Sequence, residues 1–81
     1  MLKIYGTLRC PDCVECCADL DKCGIAYEFL DFDKDLKLLK EFLKLRDSRE
    51  CFAEARKAGN IGIPCIVRDD CTVTLDWKEC M

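Results

Sequence analysis

The chain has 81 residues, room for a single domain spanning 1–81. Hydrophobic residues make up 51% and charged residues 36%, the balance of a compact soluble domain rather than a disordered one. The formal net charge is −3, with every Lys/Arg group interleaved with acids, which argues against a nucleic-acid binder. No apolar run approaches the roughly 20 residues of a membrane span.

The elements follow in chain order. "LKIYG", residues 2 to 6, alternates and stops at a glycine, the pattern of a short strand. The segment from Pro11 to Cys23 reads as a helix. At about 100° per residue, Cys13, Cys16, Cys17 and Leu20 share one face, while Asp12, Glu15, Asp19 and Lys22 share the other. Pro11 suits the first helical position, where its missing N–H costs nothing. Gly24 suits the left-handed residue that ends the helix. "IAYEFLDF" is a second strand. Residues from about Asp35 to Leu45 form a second helix, with Leu36, Leu39 and Leu43 as its core stripe and Leu38 and Phe42 alongside. Lys40, Lys44, Arg46 and Arg49 read as its solvated face. "DSRE", 47 to 50, has the spacing of a capping box with Asp47 at the cap. It predicts a third helix through Phe52, Ala55 and Ala58, closed by Gly59. "IPCIV" and "CTVTL" are two further strands, joined by the polar turn at Arg68, Asp69 and Asp70 into a hairpin. "DWKECM" is too short for a full final helix, and Trp77 is expected to cover the end of the core there, with the lining of a peptide groove as its alternative. The predicted order is β-α-β-α-α-β-β. It implies an α/β (α+β) sandwich with a four-stranded mixed sheet: two strands parallel across a helix and two antiparallel.

Nine cysteines in 81 residues is a heavy load. In a secreted chain it would suggest a disulfide scaffold. The odd count, ordinary core patterning and an opening "MLKIYGTL" without a signal-peptide pattern lead instead to a cytoplasmic protein with most thiols reduced. The chain has no histidine, so the commonest general base and the commonest non-sulfur metal ligand are both missing. That leaves thiol redox chemistry, metal binding, or cysteine as a small buried hydrophobe.

The densest cluster is "RCPDCVECC", residues 9 to 17. Its C-x-x-C sits where a loop enters a helix just after a strand. A thiolate at a helix N-terminus faces unpaired N–H groups and the positive end of the macrodipole, which favour it. Cys10, at the cap, is expected to be the exposed nucleophile and Cys13, one turn in, the resolving thiol. Arg9 favours the thiolate and Asp12 opposes it. Cys16 and Cys17 read as apolar-face packing. Their sharper reading, a ferredoxin-type run Cys10-x-x-Cys13-x-x-Cys16, lacks its next ligand because position 20 is Leu20. Zinc sites join two separated pairs, and a second C-x-x-C apart from this run is absent. Cys65 reads as an ordinary strand residue, with a third thiol near the dithiol as its functional alternative. Cys23, Cys51, Cys71 and Cys80 read as incidental.

"IYGTLRCPDCVEC" resembles the first strand, loop and active-site helix of glutaredoxins. "IGIPCIV" resembles the segment in which that family, and thioredoxins generally, place a cis-proline opposite the dithiol. The resemblance covers residues 1 to about 75. It implies a thioredoxin-like fold with a truncated C-terminal helix, a cis Pro64, and a thiol–disulfide oxidoreductase with Cys10 and Cys13 as catalytic residues. Arg9, Pro11, Asp12, Ile63 and Pro64 would contact the substrate, with the Ile63 backbone pairing with it as an added strand does. Protein or small-molecule disulfides would be the substrates, reduced with electrons from glutathione or a thioredoxin-reductase-type enzyme. No resident cofactor or metal would be required. The chain departs from the family at Thr7, where a lysine is usual, and at "TVTLDW". There, Thr74 and Leu75 stand where a glycine pair would approach the carboxylate of glutathione, and their side chains are expected to obstruct it. Two alternatives stay open beside the oxidoreductase. One is an iron–sulfur or metal module, including a cluster shared between subunits through Cys10. The other is a non-catalytic adaptor of the same fold that binds a partner along the Ile63–Pro64 edge.

Overall fold

The computed structural model describes all 81 residues. Strand β1, Leu2–Gly6, leads through helix α1, Pro11–Lys22, into strand β2, Tyr27–Asp31. Helix α2, Leu36–Ser48, is followed by a 3-10 turn at Glu50–Phe52 and the short helix α3, Ala53–Ala58. Strands β3, Cys65–Val67, and β4, Val73–Thr74, come next, and a 3-10 turn at Trp77–Cys80 ends the chain. The sheet order is β2-β1-β3-β4, with β1 parallel to β2 and antiparallel to β3, and β3 antiparallel to β4. The α/β architecture with a four-stranded mixed sheet and flanking helices is therefore as expected from the strand and helix patterns. No helix is long and apolar enough to cross a membrane.

The alternation of the central strands divides the core in two. Ile4 lies opposite Ile66, and Tyr5 lies opposite Cys65. The first pair packs with Cys16 and Leu20 of α1, and with Trp77 and Cys80 at the edge. The second pair's face packs with Phe42 of α2 and Phe52. Successive side chains of a strand point to opposite faces, so α1 covers one face of the sheet and α2 with the 50–58 segment covers the other. Phe42 anchors the second layer, its ring 5.2 Å from that of Phe32 and edge-on to Phe52 at 5.9 Å.

Three sequence readings need correction here. The "DSRE" capping box does not form. α2 runs on through Asp47 to Ser48, whose hydroxyl donates back to the Lys44 carbonyl at 2.6 Å. The break falls at Arg49, which is extended. The core stripe of α2 is rotated: Leu36 is 72% and Leu43 40% exposed, while Phe42 is sealed. Leu38, Leu39 and Leu45 pack beside it. Arg46 is not part of a solvated face, because its guanidinium is committed to the backbone of a neighbouring loop.

At the helix starts and stops the local chemistry matches the pattern. Asp35 caps α2 by accepting from the Lys37 amide at 2.9 Å, the bond an N-cap carboxylate supplies. Gly24 takes φ +68° just beyond α1. Trp77 closes the end of the first core layer, its Nε1 donating to Asp19 Oδ2 at 2.9 Å.

Candidate functional site

The site is built at the end of the sheet where the inner strand β1 stops. A tight turn follows Gly6: the Cys10 amide donates to the Thr7 carbonyl at 3.1 Å, and the Arg9 amide donates to Thr7 Oγ1 at 3.2 Å. The turn delivers Cys10 to the N-cap of α1 in an extended conformation, φ −92° and ψ 120°. Its carbonyl accepts from the Cys13 and Val14 amides, so the backbone of Cys10 starts the helix. Its thiol makes no capping bond and is left free. Cys10 is half-buried and lines a cleft of about 910 Å³.

Cys13 lies one turn further and is fully buried. Gly6 makes room for it: a Cβ there would meet Cys13 Sγ at 2.7 Å, closer than real Cβ contacts come. Burial pushes the Cys13 thiol up from 9.0 to about 12. The Thr7 backbone amide, turned toward the sulfur, opposes that shift, and the Cys10 thiol beside it adds to it. The two thiols therefore stand side by side in different environments, one facing the cleft and one sealed behind it.

The opposite wall is the loop from Gly59 into β3. Gly59, Asn60, Ile61, Gly62 and Ile63 all line the cleft, and the Ile63–Pro64 peptide is cis, the isomer the resemblance implies. Gly62 takes φ +90° and packs flat on Phe52, which a Cβ would strike at 2.8 Å. Arg46 ties the loop to α2: Nε donates to the Ile61 carbonyl at 2.8 Å and Nη2 to the Asn60 carbonyl at 2.7 Å. Arg56 ties α3 to the end of α2, donating to the Arg46 and Arg49 carbonyls. Sequence reading missed both arginines. Their partners are backbone carbonyls in a loop and at a helix end, and no pattern of residue types marks those.

The expected site residues separate into two groups. Cys10, Arg9, Asp12 and Ile63 line the cleft together. Pro11 is exposed outside it and Pro64 is buried beneath it. Arg9 is 84% exposed and ion-paired to Asp33 Oδ2 at 3.0 Å. Leu75 lines the cleft. Thr74 does not: it is buried, and its hydroxyl donates to Glu79 and accepts from the Asp76 amide.

The other cysteines are spread through the fold as free thiols. Cys16 is sealed in the first core layer, and its thiol is pushed up to about 12 by burial. Cys17 is half-buried. Burial raises its thiol as well, and the Tyr27 hydroxyl beside it opposes the shift. Cys65 is fully buried in the second core layer, on the face of the sheet away from α1. Burial takes its thiol up to about 12, so it packs as a strand residue and does not stand beside the dithiol. No three Cys, Asp or Glu side chains converge closely enough to hold a metal ion.

No family model matches the chain, and no solved structure matches it. The chain is similar to a protein of Haemophilus influenzae (strain ATCC 51907 / DSM 11121 / KW20 / Rd) described as an uncharacterized protein, with 36% identity over 76 residues. The match covers 94% of this chain and 88% of that protein. At that identity and coverage, the chain belongs to the same family as the Haemophilus influenzae protein.

Proposed function

We propose that the chain is a glutaredoxin-like thiol–disulfide oxidoreductase of thioredoxin-like fold, working through the Cys10–Cys13 dithiol in the reducing cytoplasm. The observation that carries the reading is the asymmetry of the pair. Cys10 opens on the cleft at a helix N-cap, while Cys13 is sealed one turn behind it with its proton held by burial. A nucleophile has to meet its substrate, and a resolving thiol has to stay out of the exchange until the mixed disulfide forms.

The chemistry follows from that placement. The Cys10 thiolate attacks one sulfur of a substrate disulfide, and the other sulfur leaves as a thiolate that takes up a proton. Cys13 then attacks Cys10 Sγ. The Cys10–Cys13 bond forms, the substrate sulfur leaves, and it accepts the proton Cys13 gives up. Two electrons and two protons have passed to the substrate, which departs as two thiols. A reductant of the glutathione or thioredoxin-reductase type returns the dithiol to its starting state.

The test uses two variants. Cys10→Ser is expected to lose disulfide reduction altogether. Cys13→Ser is expected to form the mixed disulfide and stop there, so a covalent adduct on Cys10 accumulates and is read by mass. Full retained reduction in Cys10→Ser would overturn the reading and favour a fold used for partner binding alone.

A further inference from the structure

Away from the chain termini, the large apolar side chains left exposed are Leu8, Val14, Leu36, Leu43 and Ile61. The topology gathers them at one end of the molecule. β1 and β2 run parallel, so Leu8, which follows β1, and Leu36, which opens the helix after β2, stand at the same end of the sheet as Cys10. β3 runs against β1, so the loop entering it carries Ile61 to that end. Val14 lies one turn along α1 from Cys10. Leu43 meets Ile61 in an apolar groove of about 290 Å³ beside the loop. Gly59, Asn60 and Ile61 line both this groove and the Cys10 cleft, so one loop forms a wall of each. Single exposed apolar residues need no explanation, but a collection of them around a reactive group marks an interaction surface.

The charges lining the cleft have one sign to spare. Arg9 is held by Asp33, and Arg46 is turned onto loop carbonyls. Asp12 and Glu54 line the cleft, and neither belongs to any of the ion pairs in the fold. The cleft therefore offers apolar contact and two uncompensated carboxylates. A small disulfide carrying several carboxylates finds repulsion there and, at Leu75, a side chain instead of open backbone.

Building on the oxidoreductase reading, we infer that the preferred substrate is a protein disulfide whose cysteine is flanked by apolar residues and a basic residue, and that glutathione disulfide is a poor substrate. The apolar residues seat along Ile61 and the groove beyond it, and the basic residue meets Asp12 and Glu54. Complementary charge of this kind selects partners and speeds encounter more than it adds raw affinity.

The test measures reduction of four disulfides by the reduced wild-type protein. Two are short peptides with identical apolar residues, carrying either Arg or Glu beside a cysteine linked to a neutral thiol. The others are glutathione disulfide and hydroxyethyl disulfide. Each rate is divided by the same compound's rate with dithiothreitol, which removes intrinsic reactivity. The Arg peptide is expected to be reduced about tenfold faster than the Glu peptide or glutathione disulfide, a difference of about 1.4 kcal/mol. The Arg-to-Glu ratio should fall toward one in the Asp12→Asn/Glu54→Gln variant. Equal rates on the Glu peptide or on glutathione disulfide would overturn the substrate inference while reduction of hydroxyethyl disulfide left the oxidoreductase reading standing. Failure to reduce hydroxyethyl disulfide would overturn the oxidoreductase reading, and the substrate inference with it.

Discussion

A Cβ on Gly6 would stand 2.7 Å from the Cys13 sulfur, and the sulfur has little room to retreat because Cys13 is fully buried. Gly6→Ala is therefore expected to push the second thiol off its position behind Cys10. Overpacking of this kind costs about 1–3 kcal/mol, which a shift in the denaturation midpoint would report. Resolution should slow as well, so that Gly6→Ala, with Cys13 intact, accumulates mixed disulfide on Cys10 during turnover. A variant as stable as the parent that resolves at the same rate would show that Gly6 has no part in placing Cys13. From the sequence Gly6 is legible only as the end of a strand. Its closeness to a helix residue seven positions later depends on how α1 packs, and periodicity does not contain that. The dithiol itself is legible, because a proline at the first helical position and a C-x-x-C after a strand fix the local geometry within one turn.

At the scale of elements, strands and α1 follow their patterns closely, whereas α2 and its successor do not. An alternating strand has only two faces, and the sheet decides which is in. A helix with leucines at Leu36, Leu38, Leu39, Leu43 and Leu45 offers more than one apolar stripe, and the large ring of Phe42 wins the interior against Phe32 and Phe52. Asp47-Ser48-Arg49-Glu50 matches a capping pattern, yet Asp47 is in mid-helix, because the α2 backbone ladder runs on past it to Ser48. Arg46 then gains a role that its exposed-face spacing hides. It donates two bonds to the loop that forms the far wall of the cleft. Arg46→Ala is expected to cost about 1–2 kcal/mol, the scale of lost charged hydrogen bonds at a partly exposed position. It should also raise amide exchange across residues 59 to 63. Arg46→Lys should not restore the loop, since a single ammonium cannot reproduce the two-nitrogen fork. Unchanged exchange in Arg46→Ala would mean that Gly62 packing on Phe52 holds the loop unaided.

For the whole molecule, three buried thiols tie stability to pH. Cys13, Cys16 and Cys65 are each taken from 9.0 to about 12 by burial. The folded state holds these protons where the unfolded chain would release them. The contribution is therefore fully present below about pH 9 and is lost as the pH rises through about 12. Denaturation midpoints are expected to fall across that window, and Cys65→Ala, less stable throughout, should show a shallower fall. A pH dependence identical in Cys65→Ala would contradict the assignment. The same burial sorts the cysteines into different roles. Cys16 and Cys65 serve the two core layers, and Cys13 shares their environment while standing beside the one cysteine that lines the cleft. Turnover by the proposed route requires Cys10 and Cys13 to be the pair that cycles, and mapping the disulfide tests this most directly. The reduced protein would be treated with a slight excess of hydroxyethyl disulfide, quenched in acid, and its cysteine linkages read by peptide mass. One intramolecular bond, Cys10–Cys13, is the expected result. A bond joining any other pair, or stable adducts on Cys10 with no internal disulfide, would contradict the account.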